Sequence, residues 1–174
     1  MKKDFIMPIL VLSLICLIIS GSLAICDSFT RPLIEGASVS RAADSRRDVL
    51  PDADGFELLA LDGLPKTITE VYKATNGAGY IFMITTSGYG GEIRLICGID
   101  AKGTIVRSAT LAQSETKGLG TLVFEEPFES RFAGKDKDLN GISAISGATI
   151  SSNAYINGIR DAFEAYDIVT GGGR

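Results

Sequence analysis

Ser143-Ala144-Ile145-Ser146-Gly147-Ala148-Thr149-Ile150-Ser151-Ser152 is the stretch at which the chain turns from a strand-rich body into a helix. From Ile150 onward, Ala154, Tyr155, Ile159, Ala162, Phe163 and Tyr166 recur at helical spacing, which predicts a helix over 151–166. Ser151, Ser152 and Asn153 are good N-cap types, so the helix is expected to start among them, with Thr149 just ahead of it. The first amides of a helix lack intrahelical partners and carry the positive end of its dipole, which suits a phosphate. Gly147 and Ala148 are small and leave a ligand room to approach the backbone. The Thr149 hydroxyl then has two readings: a helix cap, or the oxygen of a phosphate ester. Taken alone, Ser-Gly-Ala-Thr before a helix is more often a turn and a cap, so the rest of the chain decides.

Upstream, residues 56–111 read as strands. Glu70–Ala74 is a short one, and Gly79–Thr86 is β-branched, aromatic and apolar enough for a central strand. Gly88-Tyr89-Gly90-Gly91 turns the chain, and Glu92–Ile99 returns. Asp100-Ala101-Lys102-Gly103 is a hairpin signal with Gly103 placed for a positive φ, and Thr104–Leu111 follows as the next strand. Neighbouring strands joined by short turns predict an antiparallel β-meander, and with the C-terminal helix the fold class is α+β. Gln113-Ser114-Glu115-Thr116-Lys117-Gly118-Leu119-Gly120 then breaks the pattern: polar, glycine-rich and directly after a strand, it is either a plain loop or a ligand-contact loop. Glu125–Phe132 suggests a helix with Pro127 in its first turn, and Phe128 and Phe132 on one face are expected in the core.

At the other end, Phe5–Cys26 carries no charge and is long enough to cross a bilayer. Ser22-Leu23-Ala24 resembles a signal-peptidase site, but the apolar run is long for a secretory signal, which favours a retained anchor. A lipoprotein reading through Cys26 is disfavoured by the bulky Ile25 before it. The expected organisation is an anchor at 1–26, a stalk or linker at 27–54, a domain at 55–168 and a flexible tail at 169–174. Lys2 and Lys3 flank one end of the anchor, which favours a cytoplasmic N-terminus and an extracytoplasmic domain.

Composition excludes several functions. There is no histidine, so no Ser-His-Asp or Cys-His device, no His-ligated haem and none of the usual zinc sites. With 17 Lys+Arg against 21 Asp+Glu, the chain lacks the basic surface that nucleic acid requires. Cys16, Cys26 and Cys97 form no Cys-x-x-Cys pair, and Cys97, in a strand, reads as a small buried hydrophobe. No nucleophile–base pair is evident, so no residue is assigned a catalytic role.

Taken in order, a single N-terminal anchor, Tyr89-Gly90-Gly91-Glu92-Ile93, Ser114-Glu115-Thr116-Lys117-Gly118-Leu119-Gly120 and Ser146-Gly147-Ala148-Thr149 resemble the FMN-binding domain family. Within it, the chain is most similar to the G subunits of Rnf ion-translocating electron-transport complexes, relatives of the C subunit of the sodium-translocating NADH:quinone reductase. The resemblance implies FMN held covalently through its phosphate by Thr149, with Ser146, Gly147 and Ala148 shaping the pocket. It implies flavin contacts from Ser114, Glu115, Thr116, Gly118 and Leu119. It also implies a magnesium-dependent flavin transferase for maturation, other membrane subunits as partners, and electron relay coupling ferredoxin and NAD chemistry to sodium or proton movement. The family motif usually carries aspartate where this chain has Ser143, and proline where it has Lys117. The alternatives are a relay subunit of another membrane or extracellular flavin system, and a flavin-free membrane-tethered interaction domain. Flavin absorbance separates the last from the others.

Overall fold

A computed structural model of the chain describes the backbone of residues 2–172 and the side chains of residues 7–28, 30 and 45–172. The elements are a long helix α1 (Lys2–Val49), strands β1 (Phe56–Leu59), β2 (Ile68–Ala74), β3 (Gly79–Ser87), β4 (Glu92–Asp100) and β5 (Ile105–Ala112), a 3-10 turn at Gly120–Phe124, a one-turn helix α2 (Glu126–Glu129), a second 3-10 turn at Ser130–Phe132, and α3 (Thr149–Thr170). Two compact units result, Met1–Ser40 and Arg41–Arg174.

The first unit is helical. Within α1, the 22 residues Met7–Ser28 have a mean hydropathy of 2.8 and are long and apolar enough to cross a membrane. Their hydroxyls bond back to the helix: Ser22 Oγ donates to the Ile18 carbonyl at 2.8 Å and Ser28 Oγ to that of Ile25 at 2.7 Å. Such back-bonding satisfies these donors without water.

The second unit is built on an antiparallel sheet of order β1-β2-β3-β4-β5. The meander predicted from the sequence is present, with β1 and β2 extending it at one edge. Its tightest connection is the 100–103 hairpin. There the Asp100 carboxylate accepts the Lys102 and Thr104 amides at 2.8 and 2.9 Å, and Gly103 takes φ 82°.

Alternation along the strands divides the core between two faces. Phe82 and Ile84 of β3 and Leu95, Cys97 and Ile99 of β4 point to one face, where α3 lays Tyr155, Ile159, Ala162 and Phe163 over them. Phe128 and Phe132, expected in the core, pack here with ring centroids 5.5 Å apart. Burial pushes the Cys97 thiol up, so it behaves as an inert apolar group. Ile81, Met83 and Ile96 point to the opposite face, which is covered by Val49 and Leu50 at the end of α1. Gly98 permits that approach: a Cβ there would lie 2.3 Å from the Val49 carbonyl oxygen. Arg46, one turn earlier, sets its guanidinium 4.2 Å from the centre of the Tyr72 ring.

Three boundaries differ from the sequence expectation. The compact unit begins at Arg41 rather than 55, because Val49 and Leu50 belong to its core. The C-terminal helix runs on to Thr170, inside the segment expected as a tail, and ends on Gly171; residues 173–174 lie outside the described residues. The same helix starts at Thr149, not among Ser151, Ser152 and Asn153, and its N-cap is Ala148.

Candidate functional site

The early start of α3 changes what its first turn offers. Ala148 (φ −123°, ψ 31°) makes no side-chain capping bond, and the first turn holds no acidic residue. The Ser152 amide is already bonded to the Ala148 carbonyl at 2.9 Å, while the Ser152 hydroxyl, fully buried, accepts the Ile145 amide at 3.0 Å. That serine therefore ties down the incoming loop instead of capping the helix. The amides of Thr149, Ile150 and Ser151 precede the first intrahelical bond and have no partner within the helix. Gly147 enters this end with φ 84°, a left-handed conformation that a β-substituted residue adopts at a cost.

A cavity of about 420 Å³ opens at this helix end. Gly147, Ala148, Thr149, Ile150 and Ser151 form one wall; Glu115, Thr116, Leu119 and Gly120 form a second; Tyr89, from the β3–β4 turn, completes it. The two stretches singled out in the sequence thus meet in space. A Cβ at Gly147 would lie 3.9 Å from Leu119 Cδ2. Of the predicted site residues, Gly147, Ala148, Thr149, Glu115, Thr116 and Leu119 line the cavity, whereas Ser146, Ser114 and Gly118 are not among its lining residues.

Glu115 is the hinge pin of the arrangement. Only 9% of it is exposed. Its Oε1 accepts the Gly90 amide at 3.1 Å, and its own amide donates to Gln113 Oε1 at 2.6 Å. Three glycines let the loop and turn close on it. A Cβ at Gly88 would sit 2.0 Å from Glu115 Oε1, one at Gly120 2.5 Å from Oε2, and one at Gly90 2.5 Å from the Ser114 carbonyl oxygen. The carboxylate thus fastens the β3–β4 turn to the loop after β5, and Ser114 contributes through its backbone. Behind it, the Thr116 carbonyl accepts the Leu119 amide at 3.2 Å and Thr121 Oγ1 accepts the Gly118 amide at 2.9 Å, which fixes the loop's course.

Sequence reasoning missed Tyr89, Gly120, Ile150 and Ser151 as lining residues. The signal for Tyr89 was present in Gly88-Tyr89-Gly90-Gly91, an aromatic residue isolated among glycines at a turn. Gly120 lay inside the quoted loop, and Ile150 and Ser151 follow from the helix starting two residues early.

The residues present fit a flavin mononucleotide. The volume lies within the roughly 300–1,000 Å³ of small-molecule sites. The Thr149 hydroxyl lies beside first-turn amides that have no partner within the helix, and Tyr89, Leu119 and Ile150 add apolar lining to the polar Glu115 and Thr116. No lysine or arginine lines it, so a phosphate here would be met by backbone amides and the helix dipole. Among the described residues no group of three or more His, Cys, Asp or Glu could hold a metal ion.

A second, smaller cavity of about 170 Å³ lies elsewhere, lined by Val106, Arg107, Ser108, Glu126, Glu129, Ser130 and Ala133. Near it the buried Tyr155 hydroxyl donates to Ser108 Oγ at 2.9 Å, and Thr110 Oγ1 donates to Glu129 Oε1 at 2.6 Å. Burial pushes the Glu129 carboxyl above its ordinary range, opposed by the Thr110 hydrogen bond.

Residues 88–164 match the FMN-binding domain family, a span that contains the β3–β4 turn, the loop after β5 and the entry to α3. Most of the chain is similar to the G subunits of redox complexes. The G subunit of the proton-translocating ferredoxin:NAD(+) oxidoreductase complex of Clostridium ljungdahlii is 28% identical, over 92% of this chain and 91% of the relative. Its counterpart in the Na(+)-translocating complex of Acetobacterium woodii is 29% identical, over 90% and 89%. The G subunit of the ion-translocating oxidoreductase complex of Methanosarcina acetivorans is 27% identical, over 94% and 95%. The cavity thus forms inside the span that matches the FMN-binding domain family, and most of the chain's length is paralleled by these G subunits.

Proposed function

We propose that the chain is a membrane-anchored subunit that carries FMN as a phosphoester on Thr149 and relays electrons within an ion-translocating ferredoxin:NAD(+) oxidoreductase complex of the Rnf type. The observation that carries this reading is the position of Thr149. This hydroxyl-bearing residue is the first of α3, lines the cavity, and lies beside first-turn amides that no side chain caps. FMN supplies one- and two-electron redox chemistry when bound. This chain's residues bind and orient. The amides of the first turn of α3 would hold the phosphate oxygens, Gly147 keeps the approach open, and Leu119, Ile150 and Tyr89 shield the apolar portion from water. Glu115 holds turn and loop in register. Attachment requires a flavin transferase drawing on FAD: a bond forms between Thr149 Oγ and the FMN phosphorus, the pyrophosphate bond breaks, AMP leaves and the hydroxyl proton is released. Met7–Ser28 would keep the flavin beside membrane partners, with the domain on the extracytoplasmic side. The subunit acts with other subunits and is not expected to turn over a substrate alone.

Intact mass of the full-length protein co-expressed with a flavin transferase tests the proposal. A gain equal to FMN less one water is expected in the wild type and none in Thr149→Ala. A gain retained by the variant would place the ester elsewhere. Its absence from both proteins would overturn the flavin reading.

A further inference from the structure

We infer that Tyr89 is an aromatic wall of this site, laid against the isoalloxazine ring and held there by the Glu115-fastened turn; the inference rests on the FMN reading above. The chain has five tyrosines. Tyr72 meets Arg46 and Glu70, Tyr80 and Tyr166 meet each other, and Tyr155 sits among Phe124, Phe128 and Phe132 with its hydroxyl on Ser108. Tyr89 is the one tyrosine with neither a ring partner nor a hydrogen-bond partner among the described residues, and 75% of it is exposed. An aromatic side chain this large, left without a partner, is a candidate for covering a ligand.

The turn that carries Tyr89 is built to present it. Gly88 donates its amide to the Gly91 carbonyl at 2.8 Å, closing the turn, and in Gly88-Tyr89-Gly90-Gly91 only Tyr89 has a side chain. Gly88 and Gly90 have no room for one, since a Cβ at either would collide with Glu115 or Ser114. The Gly90–Glu115 hydrogen bond then holds the turn at the cavity. Tyr89 shares that cavity with Leu119 and Ile150, which are 54% and 56% exposed. Three large, largely apolar side chains, each more than half exposed, thus line the same cavity as the helix terminus suited to a phosphate. A ligand with an anionic end and a flat aromatic end matches both halves, and the aromatic end of FMN is its isoalloxazine ring.

A phenol against a flavin ring gives a signature that general packing does not. On illumination the phenol lends an electron to the excited ring and takes it back, so emission is quenched without net chemistry. The test uses full-length protein loaded by a flavin transferase, with emission measured per bound flavin so that partial loading does not matter. Loaded wild type is expected to be strongly quenched. Tyr89→Leu is expected to emit several-fold more per flavin, and Tyr89→Phe, which keeps a ring but lacks the easily oxidised phenol, is expected to brighten too. Wild-type emission from both loaded variants would overturn the role of Tyr89 while leaving the FMN reading intact. A wild type that gains no flavin mass would remove the FMN reading and this inference together.

Discussion

The two ends of α3 are finished differently. At the C-terminus Gly171 adopts φ 73°, its amide bonds to the Ile168 carbonyl at 3.3 Å, and the Gly172 amide returns to the Asp167 carbonyl at 2.9 Å. That is a helix whose last carbonyls are satisfied from within the chain. At the N-terminus Ala148 offers no hydroxyl or carboxylate, and the two nearby serines that could cap are buried in the first turn. A 22-residue helix closed at one end and open at the other teaches where the sequence has given up local stability. The open end is the one that lines the cavity.

Four substitutions break or sharpen that contrast. The largest effect is expected from Thr149→Ala, which should eliminate covalent flavin outright and shift the thermal midpoint of the unloaded protein little, since alanine is a good residue in a first turn. Closing the closed end less well comes next: Gly171→Ala should cost about 1 kcal/mol in denaturant unfolding, because alanine strains at positive φ, with flavin loading unchanged. Closing the open end should do the reverse. Ala148→Ser is expected to stabilise the unloaded protein by roughly 0.5–1 kcal/mol through a new cap, and to slow loading as the serine oxygen competes for the same amides. If that variant loads at the wild-type rate, the open end is not where the phosphate goes.

The smallest effect concerns the middle of the helix, where Tyr155 shares its surroundings with Glu129. The folded protein holds the Glu129 carboxyl above its ordinary range, so its contribution to stability is fully present below that range and is lost as pH rises through the raised value. Glu129→Gln removes the ionisation and keeps an oxygen for the Thr110 hydroxyl. The variant should therefore be more stable than wild type at neutral pH, by less than about 1 kcal/mol given partial solvent screening. The difference should vanish on acidification to below about pH 4. Chemical denaturation at the two pH values measures it.

Much of this was legible in the chain itself. The strands announce themselves because their two faces are separately buried, so Phe82 and Ile84 alternate with Ile81 and Met83. Asp100-Ala101-Lys102-Gly103 encodes its turn entirely locally. The start of α3 was not legible, because Ser152 looks like a cap and serves Ile145 instead, a bond that exists only once the loop has folded back. The extent of the domain was hidden for a similar reason: Val49 and Leu50 follow a polar run, and their core role depends on a sheet face formed by residues much later in the chain. In the site, Thr149 and the 114–120 loop stood out by residue type. Glu115 read as a ligand contact, and its fastening of the β3–β4 turn required seeing the three glycines close around it. Tyr89 escaped because its significance lies in what it does not touch.

The fit of the Val49 carbonyl over Gly98 bears on how this protein would be cut. Val49 and Leu50 are fully or almost fully buried against Ile81, Met83 and Ile96, so the segment that follows the apolar stretch Met7–Ser28 ends inside the domain's own core. A protease acting at the exposed turn around Pro51–Asp52 would not release an intact domain. It would strip one face of the sheet, exposing an apolar surface prone to aggregation. A stable soluble fragment is therefore expected to begin upstream of Arg46, and shedding of the folded domain from a membrane requires cleavage there rather than at the first strand.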